Sequence, residues 1–227
     1  MAEIKNAPPR REEHHIVDRA TDVWTKYNRP ILIALSALIL LIGGYLAYKY
    51  FIKEPQEKKA AESIGKAEEF FRADSFRLVL NGDGANPGVL KIIDRYGNTK
   101  SGNLARFYAG ASYLQLGDPK NAAKYLDDFS TDAKQIQARA YKLLGDAYAE
   151  QGKNSDALSN YKKAARHFPE DDVNASEYLF MAAYFAARVA NNKSDAIDLF
   201  RELKEKYPRT ERGFDADKYL AQLGVYD

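Results

Sequence analysis

The stretch that decides the fold is YKLLGDAYAEQGKNSDALSNYKKAARHFP, residues 141–169. Large, small and aromatic residues recur in it at helical spacing, so that each half carries one apolar face. These residues are Tyr141, Leu144, Gly145, Tyr148, Ala157, Tyr161 and Ala164. Gly152 is placed to end the first helix, and Pro169 ends the second because the residue before a proline is disfavoured in the helical region. The stretch therefore predicts a helical hairpin.

The same pattern returns on both sides of this hairpin. The upstream counterparts, 35 positions earlier, are Gly110, Tyr113, Gly117 and Ala122. The downstream counterparts, 39 positions later, are Ala196, Phe200, Leu203 and Pro208. A single hairpin cannot bury both of its apolar faces, so the copies are expected to stack on one another. The pattern resembles the tetratricopeptide repeat and predicts an all-α protein with an α-solenoid of about four hairpins.

A longer-range echo connects the two ends of the repeat region. YGNTKSG at residues 96–102 matches YPRTERG at residues 207–213, which lies 111 positions later. The match predicts that a degenerate first hairpin ends before Gly97, which stands where Pro208 stands in the later copy.

Turn signals and apolar periodicity divide the rest of this region into helices. A first helix is predicted from residue 57 through Leu80, followed by the turn-rich loop 81–88 and a short helix at 89–96. Further helices are predicted at 101–116, 119–129, 132–151, 155–167, 174–190, 193–207 and 211–223. No segment shows the alternation typical of a strand.

One long apolar run precedes the repeats. It reads ILIALSALILLIGGYLAY over residues 31–48 and holds no charge between Arg29 and Lys49. At 1.5 Å per residue it spans roughly 27 Å, which predicts one transmembrane helix, with bounds at residues 29–53. A cleaved signal peptide is the alternative. The long leader, the length of the run and the absence of a small-residue cleavage site favour a retained anchor.

The residues before this run divide into two segments. Residues 1–15 are polar and aperiodic, which predicts a disordered cytoplasmic tail. Residues 16–28 carry an apolar stripe and are predicted to form an amphipathic juxtamembrane helix, lying on the membrane surface or against a membrane partner. The residues predicted at the membrane interface are Trp24, Tyr27, Arg29 and Lys49.

The orientation of the anchor is not set by charge. Five basic residues lie within about twenty positions on each side of the run, so the positive-inside rule nearly ties. A short tail before the anchor and a large domain after it favour a cytoplasmic tail and a periplasmic domain at residues 54–227.

Composition excludes several functions. Residues 53–227 hold 27 basic and 27 acidic residues, and a neutral domain is poorly suited to nucleic acid, whose binding rests on phosphate neutralisation. The chain has no cysteine, which excludes thiol chemistry and disulfides. Adjacent carboxylates such as Asp127 and Asp128 do not face one another on a helix, so no acid–base pair is indicated. We therefore predict no catalytic residues, no metal, no cofactor and no small-molecule substrate.

Binding of protein partners is the function that the repeats favour. In arrays of this kind the first helix of each hairpin lines a concave face, and the residues that the spacing places there are Arg139, Lys142, Asp146, Tyr178, Met181, Phe185 and Arg188. The uncharged stretch YLFMAAYFAA at residues 178–187 has two interpretations. Its apolar side chains anchor a partner in a groove, or the terminal helix 211–223 buries them.

The order of parts, a short tail, one span and about four hairpins ending in KYPRTERGFDADKYLAQLG, resembles the YfgM-like family in its Bacteroidetes-type version. The resemblance covers nearly the whole chain. Envelope proteins of the CpoB and BamD type share the ending, but they are secreted or lipid-anchored. The resemblance implies an ancillary subunit of the Sec translocon in the bacterial inner membrane, with SecYEG, a PpiD-like chaperone and isomerase, and emerging secreted polypeptides as partners. A structural scaffold of the cell envelope, or a component of another secretion or outer-membrane assembly machine, is the alternative.

Overall fold

The computed structural model describes the backbone of residues 12–226 and the side chains of residues 24–226. By internal contacts the chain divides into two compact units, Met1–Pro55 and Gln56–Asp227. Within the described residues every regular element is helical, and the only β-type pairing is an isolated bridge between Gly82 and Pro87. The all-helical fold predicted from the sequence is confirmed.

The first unit is built on one long helix, α1, Glu12–Tyr48. The two segments predicted as a juxtamembrane helix and a membrane span are continuous in it, and Pro30 lies inside the helix. The predicted disorder of residues 12–15 is wrong, because the helix already begins at Glu12; residues 1–11 of that predicted tail lie outside the described residues. A π-helical turn follows at Lys49–Lys53, in which the Glu54 N–H donates to the Lys49 carbonyl. The turn lies just before Pro55, which has no N–H to continue a regular ladder.

The apolar part of this helical region is the one candidate membrane span among the described residues. Its most apolar window has a mean hydropathy of 2.3, and none of that window is buried by the protein. Length and composition are the grounds for this assignment.

Ten helices follow the π-helical turn in the described part of the chain, and all but the first two residues of α2 belong to the second unit. They are α2 Glu54–Arg72, α3 Phe76–Asn81, α4 Val89–Tyr96, α5 Lys100–Gln115, α6 Pro119–Asp127, α7 Lys134–Glu150, α8 Asn154–His167, α9 Asp172–Arg188, α10 Lys193–Lys206 and α11 Glu211–Gln222. The pairs α5–α6, α7–α8 and α9–α10 are hairpins, each hairpin packs on the next, and α11 packs on α10 and α9. The single helix predicted from residue 57 through Leu80 is two helices, α2 and α3. The chain breaks between them at Asp74, which has a φ of 51°.

The helices of a hairpin approach closely at the glycines that the repeat pattern singles out. A Cβ on Gly110 would lie 2.4 Å from Cγ of Leu126 in α6. A Cβ on Gly145 would lie 2.6 Å from the ring of Tyr161 in α8. Any larger residue would push the two helices apart, which is why small residues recur at this place in the repeat.

The sequence match between residues 96–102 and 207–213 corresponds to the same two hydrogen bonds in both copies. The Thr99 hydroxyl accepts from the Gly102 N–H at 2.9 Å and donates to the Tyr96 carbonyl at 2.7 Å. In the second copy the Thr210 hydroxyl accepts from the Gly213 N–H at 3.1 Å and donates to the Tyr207 carbonyl at 2.9 Å. Each threonine thus caps a first helix, α5 or α11, and ties it to the end of the preceding hairpin.

Candidate functional site

The candidate site is the surface formed by exposed and half-buried side chains of α5, α7 and α9, the first helices of the three hairpins. We call it the A-helix surface. On α7 it carries Lys142 and Asp146, whose Nζ and Oδ2 atoms lie 2.7 Å apart. The hydroxyl of Tyr161 donates to the other oxygen of Asp146 at 2.9 Å. The Asp146 carboxylate is therefore satisfied from both sides.

Arg139, one turn before Lys142, is exposed and has a different environment. Its guanidinium carbon lies 5.9 Å from the centre of the Phe107 ring on α5. Its charge also acts on two tyrosine hydroxyls. Burial raises the pKa of Tyr108 and of Tyr178, and the positive charge of Arg139 opposes both shifts. Among the described residues no carboxylate lies within ion-pair distance of Arg139.

The predicted residues Tyr178 and Phe185 face the preceding hairpin. Phe185 is buried, with its ring 5.3 Å from that of Tyr161 on α8. Tyr178 and Met181 are partly buried against the same apolar cluster. The expectation that Phe185 is an open anchor for a partner is therefore wrong, because its ring is buried against the ring of Tyr161.

A neighbouring face of α9 makes contact with α11. Arg212 of α11 forms two hydrogen bonds to the Glu177 carboxylate, at 2.6 and 3.1 Å, and its guanidinium carbon lies 4.3 Å from the centre of the Phe180 ring. Phe180 also packs on Tyr219, and Arg188 donates to the Gln222 amide oxygen at 2.9 Å. The terminal helix thus buries part of the uncharged stretch, as the second interpretation predicted.

Sequence reasoning missed Glu177, Phe180 and Tyr184 because α9 ends differently from α7. The Lys153 N–H after α7 bonds five residues back, to Tyr148, whereas the Asn192 N–H after α9 bonds six residues back, to Ala186. The turn after α9 therefore holds one additional residue. A shift of one residue rotates a helix face by about 100°, so a constant spacing of 39 selects the wrong side chains.

The residues predicted to pack the repeats divide into two groups. The buried members are Gly110, Leu144, Gly145, Ala157, Tyr161, Ala164, Ala196 and Phe200, and the half-buried ones are Tyr113 and Tyr148. Pro169 and Pro208 are exposed. The prolines follow directly on Phe168 and Tyr207, whose ψ values of 71° and 47° are non-helical, so they act by ending helices and not by packing.

A small crevice opens between α9, α10 and α11 on this side. Its volume is about 60 Å³, and its lining includes Tyr184, Arg188 and Gln222. A larger open depression of about 390 Å³ lies between the start of α5 and the loop before α7. Among the described residues no group of three or more His, Asp or Glu side chains is arranged to hold a metal ion.

The predicted interface residues lie along the candidate membrane helix. Trp24, Tyr27 and Arg29 are exposed, and Lys49 is half-buried with its Nζ 5.4 Å from the Tyr50 ring. A second group of exposed aromatic residues lies at the other end of the apolar run. It consists of Tyr45, Tyr48, Tyr50 and Phe51.

Comparison with known proteins identifies the repeat. The family model described as tetratricopeptide repeat matches residues 104–133 and 177–210, which cover most of the α5–α6 and α9–α10 hairpins. No curated protein and no solved structure matches the chain. The chain therefore carries tetratricopeptide repeats, which are typically protein-interaction scaffolds. One candidate membrane helix precedes them.

Proposed function

We propose that this protein is a membrane-anchored adaptor that holds protein partners on its A-helix surface, as an ancillary subunit of the Sec translocon. The observation that carries the adaptor role is the combination of stacked tetratricopeptide hairpins with an exposed surface that mixes an unpaired cation and aromatic side chains. Such surfaces suit extended or helical segments of other proteins.

The anchor gives this weak binding surface its effect. A site held beside its client by a membrane helix acts at an effective concentration in the millimolar range, so modest affinity is sufficient. The proposed location is the bacterial inner membrane, with a cytoplasmic N-terminus and a periplasmic repeat domain. The proposed partners are SecYEG, a PpiD-like chaperone and emerging secreted chains. The support for these partners is the resemblance in the order of parts and in the terminal sequence.

Photo-crosslinking in cells tests this proposal. A benzophenone side chain in place of Tyr184 lies on the A-helix surface, and one in place of the exposed Ser159 of α8 is the matched control. We expect adducts with SecY or a PpiD-like protein from the first position and none from the second. Adducts with other proteins only would remove the Sec translocon while keeping the adaptor, and equal adducts from both positions would remove the A-helix surface.

A scaffold of the cell envelope is the second candidate, and one observation favours it. Phe214 of α11 is 75% exposed on the last helix of the stack, where a further subunit could pack. If the protein assembles with itself, light scattering of the full chain in detergent should show oligomers, and Phe214→Ser should reduce them. A monomeric wild-type protein would exclude this candidate.

A further inference from the structure

The same arrangement of an arginine on a phenylalanine ring occurs twice between first helices. Arg212 of α11 lies over Phe180 of α9, and Arg139 of α7 lies over Phe107 of α5. In both cases the arginine comes from the following first helix and reaches back to the preceding one. The two places therefore present a guanidinium in similar settings on one side of the same stack.

The two copies differ in the charge that faces the guanidinium. One turn before Phe180 stands Glu177, which accepts two hydrogen bonds from Arg212. One turn before Phe107 stands Leu104, which is half-buried in the apolar core. Arg139 thus has the aromatic support but lacks the carboxylate that completes the pair in the other copy.

The carboxylates whose charges act on the same two tyrosines as Arg139 each have other partners. Asp146 is held by Lys142 and Tyr161. Asp171 accepts hydrogen bonds at the start of α9, from Asn174. Glu68 accepts from the hydroxyl of Tyr108 at 3.3 Å.

From this difference we infer that Arg139 is a carboxylate-binding residue, and that the partner segment held on the A-helix surface is acidic. The Glu177–Arg212 pair shows the geometry of the missing ligand, a carboxylate that meets the guanidinium fork with two hydrogen bonds. The inference rests on the proposed adaptor function and specifies the chemistry of its ligand. Net charge supports it, since Lys142 and Asp146 cancel one another and leave Arg139 uncompensated.

Peptide binding to the full chain in a neutral detergent tests the inference. The probes are a fluorescein-labelled oligoglutamate and an oligoglutamine of the same length, followed by fluorescence anisotropy. We expect the oligoglutamate alone to bind, and Arg139→Gln to weaken it about fivefold to tenfold, because a charge-assisted pair at a partly exposed site is lost. Arg209→Gln, at an exposed arginine in the loop before α11, is the matched control and should bind as the wild type does.

Two further variants, with one control, add or remove a carboxylate within the protein. Leu104→Glu places an acid one turn before Phe107 and should occupy Arg139 internally, so peptide binding is lost; Leu104→Gln changes the packing similarly and should retain it. Glu177→Leu frees Arg212 and should strengthen binding. Melting curves followed by circular dichroism confirm that each variant is folded.

The inference is overturned if oligoglutamate binds no better than oligoglutamine, or if Arg139→Gln and Arg209→Gln weaken binding equally. The adaptor function would survive either result as long as crosslinking from position 184 persists in the Arg139→Gln protein. Loss of crosslinking in the wild type itself would instead contradict the adaptor.

Discussion

Glycine has opposite effects on stability in this chain, depending on what faces its Cα atom. At Gly213 and Gly102, in the first turns of α11 and α5, an added Cβ would lie 1.9 and 1.8 Å from the carbonyl oxygens of Tyr207 and Tyr96. At Gly65, inside α2, nothing lies within 4 Å of the added atom. The usual gain from replacing a helical glycine is therefore available at Gly65 and absent at Gly213 and Gly102.

Gly213→Ala should lower the free energy of unfolding by about 1–3 kcal/mol, because the methyl group overlaps a backbone carbonyl that is fixed by Thr210. Gly65→Ala is the matched control and should raise it by up to about 1 kcal/mol. Urea denaturation followed by circular dichroism measures both. A stabilising Gly213→Ala would mean that α11 is not held against the end of α10.

The hydroxyl of Tyr161 makes the free energy of unfolding depend on pH in the alkaline range. Burial raises the pKa of Tyr161, and the Asp146 carboxylate adds to the rise by charge and by hydrogen bonding. The folded pKa thus exceeds the unfolded value of about 10, so this contribution is complete below about pH 10 and is lost as the pH increases further.

Tyr161→Phe removes the hydroxyl group that titrates. We expect the variant to lose about 1 kcal/mol at neutral pH with its hydrogen bond, and to lose stability less steeply than the wild type above about pH 10. Urea denaturation across this pH range gives the two slopes. Burial also raises the pKa of the half-buried Tyr113, with a smaller contribution from the charge of Asp118, so Tyr113→Phe shows the effect of removing a phenol that has no hydrogen bond to a carboxylate. Parallel curves for Tyr161→Phe and the wild type would contradict the assignment.

At the scale of elements, the sequence predicts the existence and type of each helix better than it predicts the contacts between distant helices. Repeated small and aromatic residues locate the hairpins because they are the residues that two close helices require. The break at Asp74 escapes prediction, since a positive φ at a single residue leaves no periodic signal. The face of α9 escapes it because one additional residue in the following turn changes the register, and no composition signal marks that residue.

Glu57 forms a contact between α2 and α5 that no local sequence pattern indicates. From α2 its carboxylate accepts from the backbone N–H groups of Lys100 and Ser101, at 2.7 and 2.9 Å, and from the Ser101 hydroxyl at 2.8 Å. It thereby caps α5 from 43 residues away. Burial raises the pKa of Glu57, but these hydrogen bonds outweigh it, and the pKa is lowered overall.

Glu57→Gln should destabilise the start of α5 by about 0.5–2 kcal/mol. The negative charge at the helix N-terminus is lost, and the NH₂ group of the glutamine side chain faces N–H donors where a carboxylate oxygen accepted. Because the folded pKa is lowered, the wild-type contribution is present above about pH 4.5 and declines as the pH falls. Hydrogen exchange of the Lys100 and Ser101 amides measures the effect at neutral pH. Glu62→Gln, exposed on the same helix, should leave exchange unchanged, and equal protection in both variants would exclude the cap.

At the scale of the whole molecule, the two units differ in how far they bury their apolar side chains. The most apolar window of the candidate span is not buried by the protein, whereas the repeat unit packs most of its leucines and phenylalanines into three apolar clusters. A lipid bilayer is an environment that suits an apolar helix of this length which no protein surface covers. This contrast supports the proposed membrane anchor, and the proposed side of the membrane needs its own experiment.

The absence of cysteine from the chain allows this topology to be mapped with single substitutions. Ala2→Cys reports on the N-terminus, and Asn98→Cys reports on an exposed turn of the repeat domain. In cells with a permeabilised outer membrane, a membrane-impermeant maleimide should label Cys at position 98 and reach position 2 only after the inner membrane is lysed. The physical reason is that a charged reagent cannot cross the hydrocarbon core. Labelling of position 2 alone before lysis would reverse the proposed orientation, and loss of the residue 2 label together with a shortened chain would show a cleaved signal peptide in place of an anchor.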